Sequence, residues 1–334
     1  MSPVRVVHAT PASRVGVAVA MVGLVALTAA PAWVARSDLR LMAEIYSYVV
    51  LASLWNVLAG YAGLVSVGQQ AYVGFGAYAL FALAMLAGVH PLAALPLVGV
   101  AAAVVAVPVA ALMFRLRGHY FAIGTWVVAE VFRLISAQLS VLGGGSGISL
   151  PVSIVIAMAE GRQMREFMIY WISLAMLAAV LGAIVLLLRS RHGLALTAIR
   201  DNELAARSSG VDVRQLKLAV YVACAGGTAI MGALIFLQKL RVSPDTAFSI
   251  NDWTAFVIFI TVIGGIGRVE GPIVGTLLFF ALRQALTDLG SIYLMTLGAI
   301  AILVMLFAPR GLWGLLADRF GWQAFPLARR VQAS

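Results

Sequence analysis

The chain of 334 residues has one cysteine, four histidines, and Asp, Glu, Lys and Arg at only 11% of positions. The cysteine, Cys224, lies in an apolar run. It has no second sulfur for an intrachain disulfide, so packing is its expected role. The histidines, His8, His90, His119 and His192, are scattered, and none stands in a metal-ligand spacing such as HExxH. No metal and no cofactor is expected. A phosphate-binding loop needs a glycine directly before its lysine, because that lysine must reach the phosphates. The only lysines are Lys217 and Lys239, and neither follows glycine. The chain therefore has no ATP site of its own. It also has no Gly-x-Ser-x-Gly elbow and no paired-carboxylate cleft, and it does not read as an enzyme.

Apolar surface is what the chain has in excess. Hydrophobic residues make up 63% of it, against about 45–50% in soluble domains, which also carry about 25% charged residues. The mean hydropathy is +1.02. So much apolar area cannot be hidden in one aqueous core, which leaves the bilayer as the solvent. A soluble enzyme, a nucleic-acid-binding protein and a secreted disulfide scaffold are excluded. The excess of 23 Lys and Arg over 13 Asp and Glu then marks membrane orientation, with no nucleic-acid partner implied.

A spanning helix needs about 20 apolar residues. Ten candidate spans fit, at 15–35, 41–59, 64–88, 91–114, 119–139, 167–188, 216–237, 252–267, 271–289 and 291–308. No soluble domain fits between them. Residues 1–334 thus read as a single transmembrane domain, an all-α polytopic protein surrounded by membrane lipid. A short arm (1–14), a polar loop (189–215) and a tail (309–334) lie outside the spans. The first apolar run, Val15 to Ala35, is longer than the roughly 7–15-residue core of a signal peptide and is read as a retained span. With both termini in the cytoplasm, 15 Lys and Arg fall inside and 6 outside, as the positive-inside rule requires. The outside group is Arg36, Arg40, Arg162, Arg165, Lys239 and Arg241.

Glycine interrupts the apolar pattern twice. Residues 60–76 read GYAGLVSVGQQAYVGFG, with Gly60, Gly63 and Gly68. Residues 264–275 read GGIGRVEGPIVG, with Gly264, Gly265, Gly267, Gly271 and Gly275. Such interruptions in both halves suggest either broken helices beside a pathway or closely packed helices. A continuous helix would carry Gly264, Gly267, Gly271 and Gly275 on one face. Spans 2–5 would start outside and spans 7–10 inside, as an inverted repeat requires.

Residues 189–217 read RSRHGLALTAIRDNELAARSSGVDVRQLK. Leu196, Ile199, Leu204 and Ala206 could line one side of a short helix, with Arg200, Asp201, Asn202, Glu203 and Arg207 as a polar surface. Asn202 or Asp201 can cap a turn, and Gly210 can end the helix. Two readings stand beside each other: a solvated basic loop that sets topology, or a helix that docks on a cytoplasmic protein.

The frame GLALTAIRDNELAARSSGVDVRQLK resembles the coupling loop of the branched-chain amino-acid ABC transporter permeases. Three further stretches resemble that family in order: LWNVLAGYAGLVSVGQQAYVGFGAYA (54–79), RLRGHYFAIGTWVVAEVFR (115–133) and FITVIGGIGRVEGPIVGTLL (259–278). RLRGHYFAIGT and the loop GGGSGI (143–148) are similar to the M-type subunit. The resemblance implies one permease half of an importer in a bacterial inner membrane. It also implies an H-type permease partner, two cytoplasmic ATPase subunits and an extracytoplasmic substrate-binding protein. The cargo would be branched-chain or other hydrophobic amino acids, with urea or short amides as the alternative. Coupling would fall to Ile199, Arg200, Asp201, Asn202, Glu203, Ala206, Arg207 and Gly210, with Arg200, Asn202 and Glu203 as surface contacts. Gln69, Gln70 and Trp126 depart from the family's usual residues and bear on substrate choice.

Charge within a span costs about 2.5–3.5 kcal/mol on insertion scales, so it pairs or faces water. Glu130 and Arg133, three apart in span 5, can meet on one helical face. They read either as a structural ion pair or as the polar wall of a translocation path. Gln69, Gln70, Tyr72 and Thr125 are further path candidates, each with packing as the simpler reading. Glu44, Arg283 and Asp288 sit near the outer surface. An ion-coupled secondary transporter would share the broken helices but would need no ATPase partner. A channel would need a filter or a ring of like charges, and neither is present.

Overall fold

Hydrocarbon offers no partner to a peptide group, so a chain this apolar must satisfy its backbone within helices or a closed barrel. The computed structural model is helical. It describes residues 4–7, 11–159, 161–286, 292–308, 310–320, 325 and 330–333, and the statements below concern these residues. The helices, in order, are α1 (Pro11–Ala29), α2 (Arg36–Asn56), α3 (Gln69–Leu86), α4 (Pro91–Met113), α5 (His119–Gln138), α6 (Val152–Met158) and α7 (Arg162–Arg189). There follow α8 (Arg191–Asp201), α9 (Glu203–Ser208), α10 (Val213–Lys239), α11 (Pro244–Ala247), α12 (Phe256–Gly264), α13 (Gly271–Ala285), α14 (Ile292–Phe307) and α15 (Gly311–Phe320). Two short antiparallel ladders join β1 (Val4–Val7) to β4 (Arg330–Ala333) and β2 (Ile148–Ser149) to β3 (Arg241–Val242).

Nine segments among the described residues are long and apolar enough to cross a membrane, and Gly271–Ala285 is a tenth, shorter apolar helix. Pairing of Val4 with Ala333 brings the two ends of the chain to one face. This face also carries α8 and α9 and is called the loop face; the other is the far face. Asp288 lies outside the described residues.

Burial grades the helices. In α2 with its last turn, and in α10, 78% of the most apolar stretch is enclosed, against 17% in α7. The first two therefore form the core, while α7 lies at the periphery. Close approach in the core depends on small residues. A Cβ on Gly76 would overlap the Ala229 carbonyl oxygen, and one on Gly232 would overlap that of Val73. These contacts lock α3 against α10, the small-residue packing that lipid-embedded helices rely on.

Three expectations change. The third helix starts at Gln69, not at 64, because residues 62–68 are irregular, with Gly63 at φ 68°. The glycines at 264–275 do not share one continuous helix. α12 ends at Gly264, Gly265 and Gly267 adopt φ of 126° and 76°, and α13 starts at Gly271. Residues 189–215 form two helices instead of one.

Candidate functional site

The site begins where α2 ends. Its last turn widens into a π-helical turn, Val57–Tyr61, after which the chain folds back along α2. Trp55 Nε1 donates to the Ser66 carbonyl (2.8 Å) and Gln69 Nε2 to that of Leu51 (2.9 Å). From Tyr61 back to Leu51 is about 15 Å of helix, so the irregular stretch re-enters the bundle to that depth. Its burial alternates: Ala62, Leu64, Ser66 and Gly68 are buried, while Gly63 and Val65 are exposed. Exposed, non-helical backbone at membrane depth is tolerated only where it meets protein or water.

The second break, residues 265–270, meets the first through Asn56. This side chain is 2% exposed. Its Oδ1 accepts from the Gly267 N–H and its Nδ2 donates to the Arg268 carbonyl, both at 2.8 Å. A carboxamide is a peptide group in miniature, so Asn56 pairs with the irregular backbone as a strand would. Gly60 is required beside it, since a Cβ there would lie 2.5 Å from Asn56 Oδ1 and 2.6 Å from Gly267 N.

The polar loop joins the same point. Arg200, in the last turn of α8, donates from Nη1 to the Gly60 carbonyl at 2.9 Å. A Cβ on Gly267 would come within 3.3 Å of Nη1. The three stretches singled out by sequence, 54–79, 189–215 and 259–278, thus converge on Asn56, Gly60, Gly267 and Arg200. Arg200 was expected as an outward contact. Its side chain stays 39% exposed, and besides reaching Gly60 it holds Asp201 Oδ1 through Nε at 2.9 Å.

The remaining loop residues divide. Leu196, Ile199 and Ala206 are buried, as an apolar face requires, but Leu204 is 76% exposed. The cause is Asn202, whose extended backbone (φ −157°, ψ 104°) separates α8 from α9. Asn202 Oδ1 caps α9 by accepting from the Ala205 N–H at 3.0 Å, and Gly210, with φ 85°, follows its end. Glu203 holds Arg207 at 2.7 Å and Lys217 at 2.8 Å.

The Lys217 hydrogen bond, ahead of the burial that opposes it and the Arg207 charge that adds to it, holds the Glu203 carboxyl below the usual carboxylate range. A depressed acid stabilises the folded corner above its ordinary pKa and loses that contribution as pH falls through its folded value. Lowering the pH from about 5 towards 3 should therefore reduce hydrogen-exchange protection at 203–217, after correction for intrinsic rates. Glu203→Gln should remove that pH dependence; a variant with the wild-type profile would contradict the assignment.

The expected path residues fall into two groups. Gln69, Gln70, Tyr72 and Thr125 are buried and engaged with protein. Gln70 accepts from the Thr254 hydroxyl, and Tyr72 bonds the Tyr221 hydroxyl at 3.1 Å. Thr125 accepts from the Val67 N–H at 3.0 Å and donates to the Ala122 carbonyl at 2.8 Å. Gly68 permits that contact, because a Cβ on it would overlap the Thr125 carbonyl oxygen.

Glu130 and Arg133 do pair, at 2.6 Å, and Asp245 joins them at 2.9 Å. They are not buried as expected: the Glu130 side chain is 46% exposed and that of Asp245 81%. Three charges on an exposed helix face cannot face hydrocarbon cheaply. α5 packs on α3, with the irregular 62–68 segment against its Thr125. Asn56 and Asp245 escaped the sequence reading. A lone amide inside an apolar span was the available signal for Asn56.

A family model described as the permease component of the branched-chain amino acid transport system matches residues 39–309. The high-affinity branched-chain amino acid transport system permease protein LivM of Escherichia coli (strain K12) is 29% identical over 311 aligned residues, covering 86% of this chain and 73% of that protein. A probable branched-chain amino acid transport permease protein LivM of Methanocaldococcus jannaschii is 26% identical over 273 residues, covering 72% of this chain and 78% of the relative. The ribose import permease protein RbsC of Escherichia coli (strain K12) is 33% identical over 130 residues, covering 37% of this chain and 40% of that protein. No solved structure matches the chain.

Proposed function

The chain belongs to the family of permease components of branched-chain amino acid transport systems, and from that premise we propose that it is one transmembrane half of an ATP-driven importer. It is a transport component of a multi-pass membrane protein type, not an enzyme. ATP hydrolysis belongs on separate subunits that dock on α8 and α9 from the cytoplasm, which makes the loop face the inner face of the cell membrane. The observation that carries this reading is the convergence at Arg200 and Asn56. When the ATPase dimer closes, α8 moves with it. Arg200 passes that displacement to the end of α2 at Gly60, and Asn56 passes it on to the α12–α13 break. Such an element needs two nearly balanced positions, and irregular backbone held by a few side-chain bonds can supply them.

The exposed side of residues 63–67 and the α5 face with Glu130, Arg133 and Asp245 would line the path, opposite an H-type partner. Branched-chain or other hydrophobic amino acids are the cargo that the relatives support best, since the ribose permease matches only 37% of this chain. A binding protein would deliver the cargo at the far face.

The double variant Arg200→Glu with Glu203→Arg tests the coupling assignment. Loss of ATPase co-purification and at least a tenfold fall in leucine uptake are expected, with the gel-filtration profile of the permease retained. Unchanged co-purification and uptake would overturn the assignment. Uptake by the wild-type complex that vanadate does not inhibit would point to an ion-coupled transporter.

A further inference from the structure

The far face contains a cavity of about 940 Å³ between α2, α7, α10, α12 and α13. It is not part of the proposed path, which lies across α3 and α5. Along α2 its lining runs from Ser37 to Tyr48, about 16 Å of helix. Charged side chains of both signs line it. Arg40 and Arg162 are bound to Glu166, and Arg283 to Glu44 at 2.7 Å. Glu166 is only 8% exposed, although it carries two arginines.

Beyond these pairs the cavity holds Arg165, Lys239 and Asp252. Lys239 Nζ lies 4.8 Å above the Trp253 ring and 5.1 Å above that of Phe236. Tyr48, Ile169, Ile235, Trp253 and Phe256 supply an apolar wall. A cation, an anion and an aromatic–aliphatic wall within one cavity match a molecule with an oxyanion, an ammonium and an apolar body.

We propose that this cavity is a second ligand site, on the extracytoplasmic side, for a zwitterion in which an ammonium and an oxyanion lie a few ångströms apart. Lys239 meets the oxyanion, Asp252 meets the ammonium, and the Trp253 and Phe256 side takes the apolar body. A free α-amino acid and the headgroup of an ethanolamine phospholipid share this chemistry. The choice of an amino acid as the soluble probe rests on the amino-acid reading above.

The full chain is reconstituted in nanodiscs of phosphatidylglycerol alone, and radiolabelled L-leucine binding is measured by scintillation proximity. Saturable binding is expected, with at least a tenfold loss in Lys239→Gln and in Asp252→Asn. Lys239→Arg should bind within a few-fold of wild type, which separates loss of charge from misfolding. 4-Methylpentanoate, which lacks the ammonium, and isopentylamine, which lacks the carboxylate, should each compete at least tenfold less well than leucine. Adding phosphatidylethanolamine to the discs distinguishes the sources. If the lipid headgroup is the occupant, leucine binding falls and native mass spectrometry finds retained phosphatidylethanolamine that is lost in Asp252→Asn. If the free amino acid is the occupant, neither occurs. Charge variants that hold both probes like wild type, or a wild-type chain that holds neither, would overturn the proposal. ATPase co-purification reads the permease assignment separately, because Lys239 and Asp252 lie at the opposite face from the docking loop.

Discussion

Asn56→Leu is expected to abolish leucine uptake by the assembled complex and to lower the thermal stability of the chain. The side chain joins the end of α2 to the backbone at Gly267 and Arg268 by two hydrogen bonds of 2.8 Å. Leucine is close in size but can neither accept from the Gly267 N–H nor donate to the Arg268 carbonyl. A buried polar group that loses its partner costs about 1–3 kcal/mol, so the pair together costs about 2–6 kcal/mol. The effect on transport should exceed the effect on folding, because the coupling helix and the α12–α13 break would no longer share a support. Asn56→Asp keeps the acceptor for Gly267 but sets a buried carboxyl oxygen against the Arg268 carbonyl, so it should also lower both measurements. A leucine variant with wild-type melting temperature and wild-type uptake would show that the convergence at Asn56 is not a mechanical joint.

Gly275→Ala should prevent accumulation of folded protein, read as loss of the monodisperse peak in fluorescence-detected gel filtration. The added Cβ would overlap the Ile260 carbonyl oxygen, and a Cβ on Gly264 would likewise overlap that of Gly271. Both obstacles are backbone, so no side-chain rotation can relieve them. Only separation of α12 from α13 can, and such overpacking costs about 1–3 kcal/mol. The double variant Gly264→Ala with Gly275→Ala should be worse than either alone. Gly182→Ala is the control: nothing lies within 4 Å of a Cβ at that helical position of α7. It should leave the peak unchanged, or raise stability slightly through helix propensity. Equal behaviour of the alanines at 275 and 182 would remove the packing argument for the glycine-rich break.

The spans were legible because hydropathy adds up along the chain and needs no knowledge of neighbours. The 167–188 run and the helix Arg162–Arg189 differ only at their ends. The glycine-rich stretches were legible as breaks or packing sites, and the structure uses them as both. Gly265 and Gly267 turn the chain, while Gly264 and Gly275 let two helices touch. Leu204 was misread because the helical period was carried across Asn202, where the chain becomes extended. Glu130 and Arg133 were rightly paired, since they lie three apart on one helix, but their exposure depends on which helices pack around α5.

By its sequence alone the chain was determined to be an all-helical membrane protein, which follows from composition and run length, both read along the chain; the permease-like frame rested on the resemblance of four stretches to a family. Only the tertiary structure decided that Arg200 reaches Gly60, 140 positions away, and that Asn56 holds Gly267, 211 positions away. Hydrogen bonds between irregular backbone segments depend on two breaks arriving at the same depth and facing each other. That is a consequence of how the helices pack, which no local pattern records.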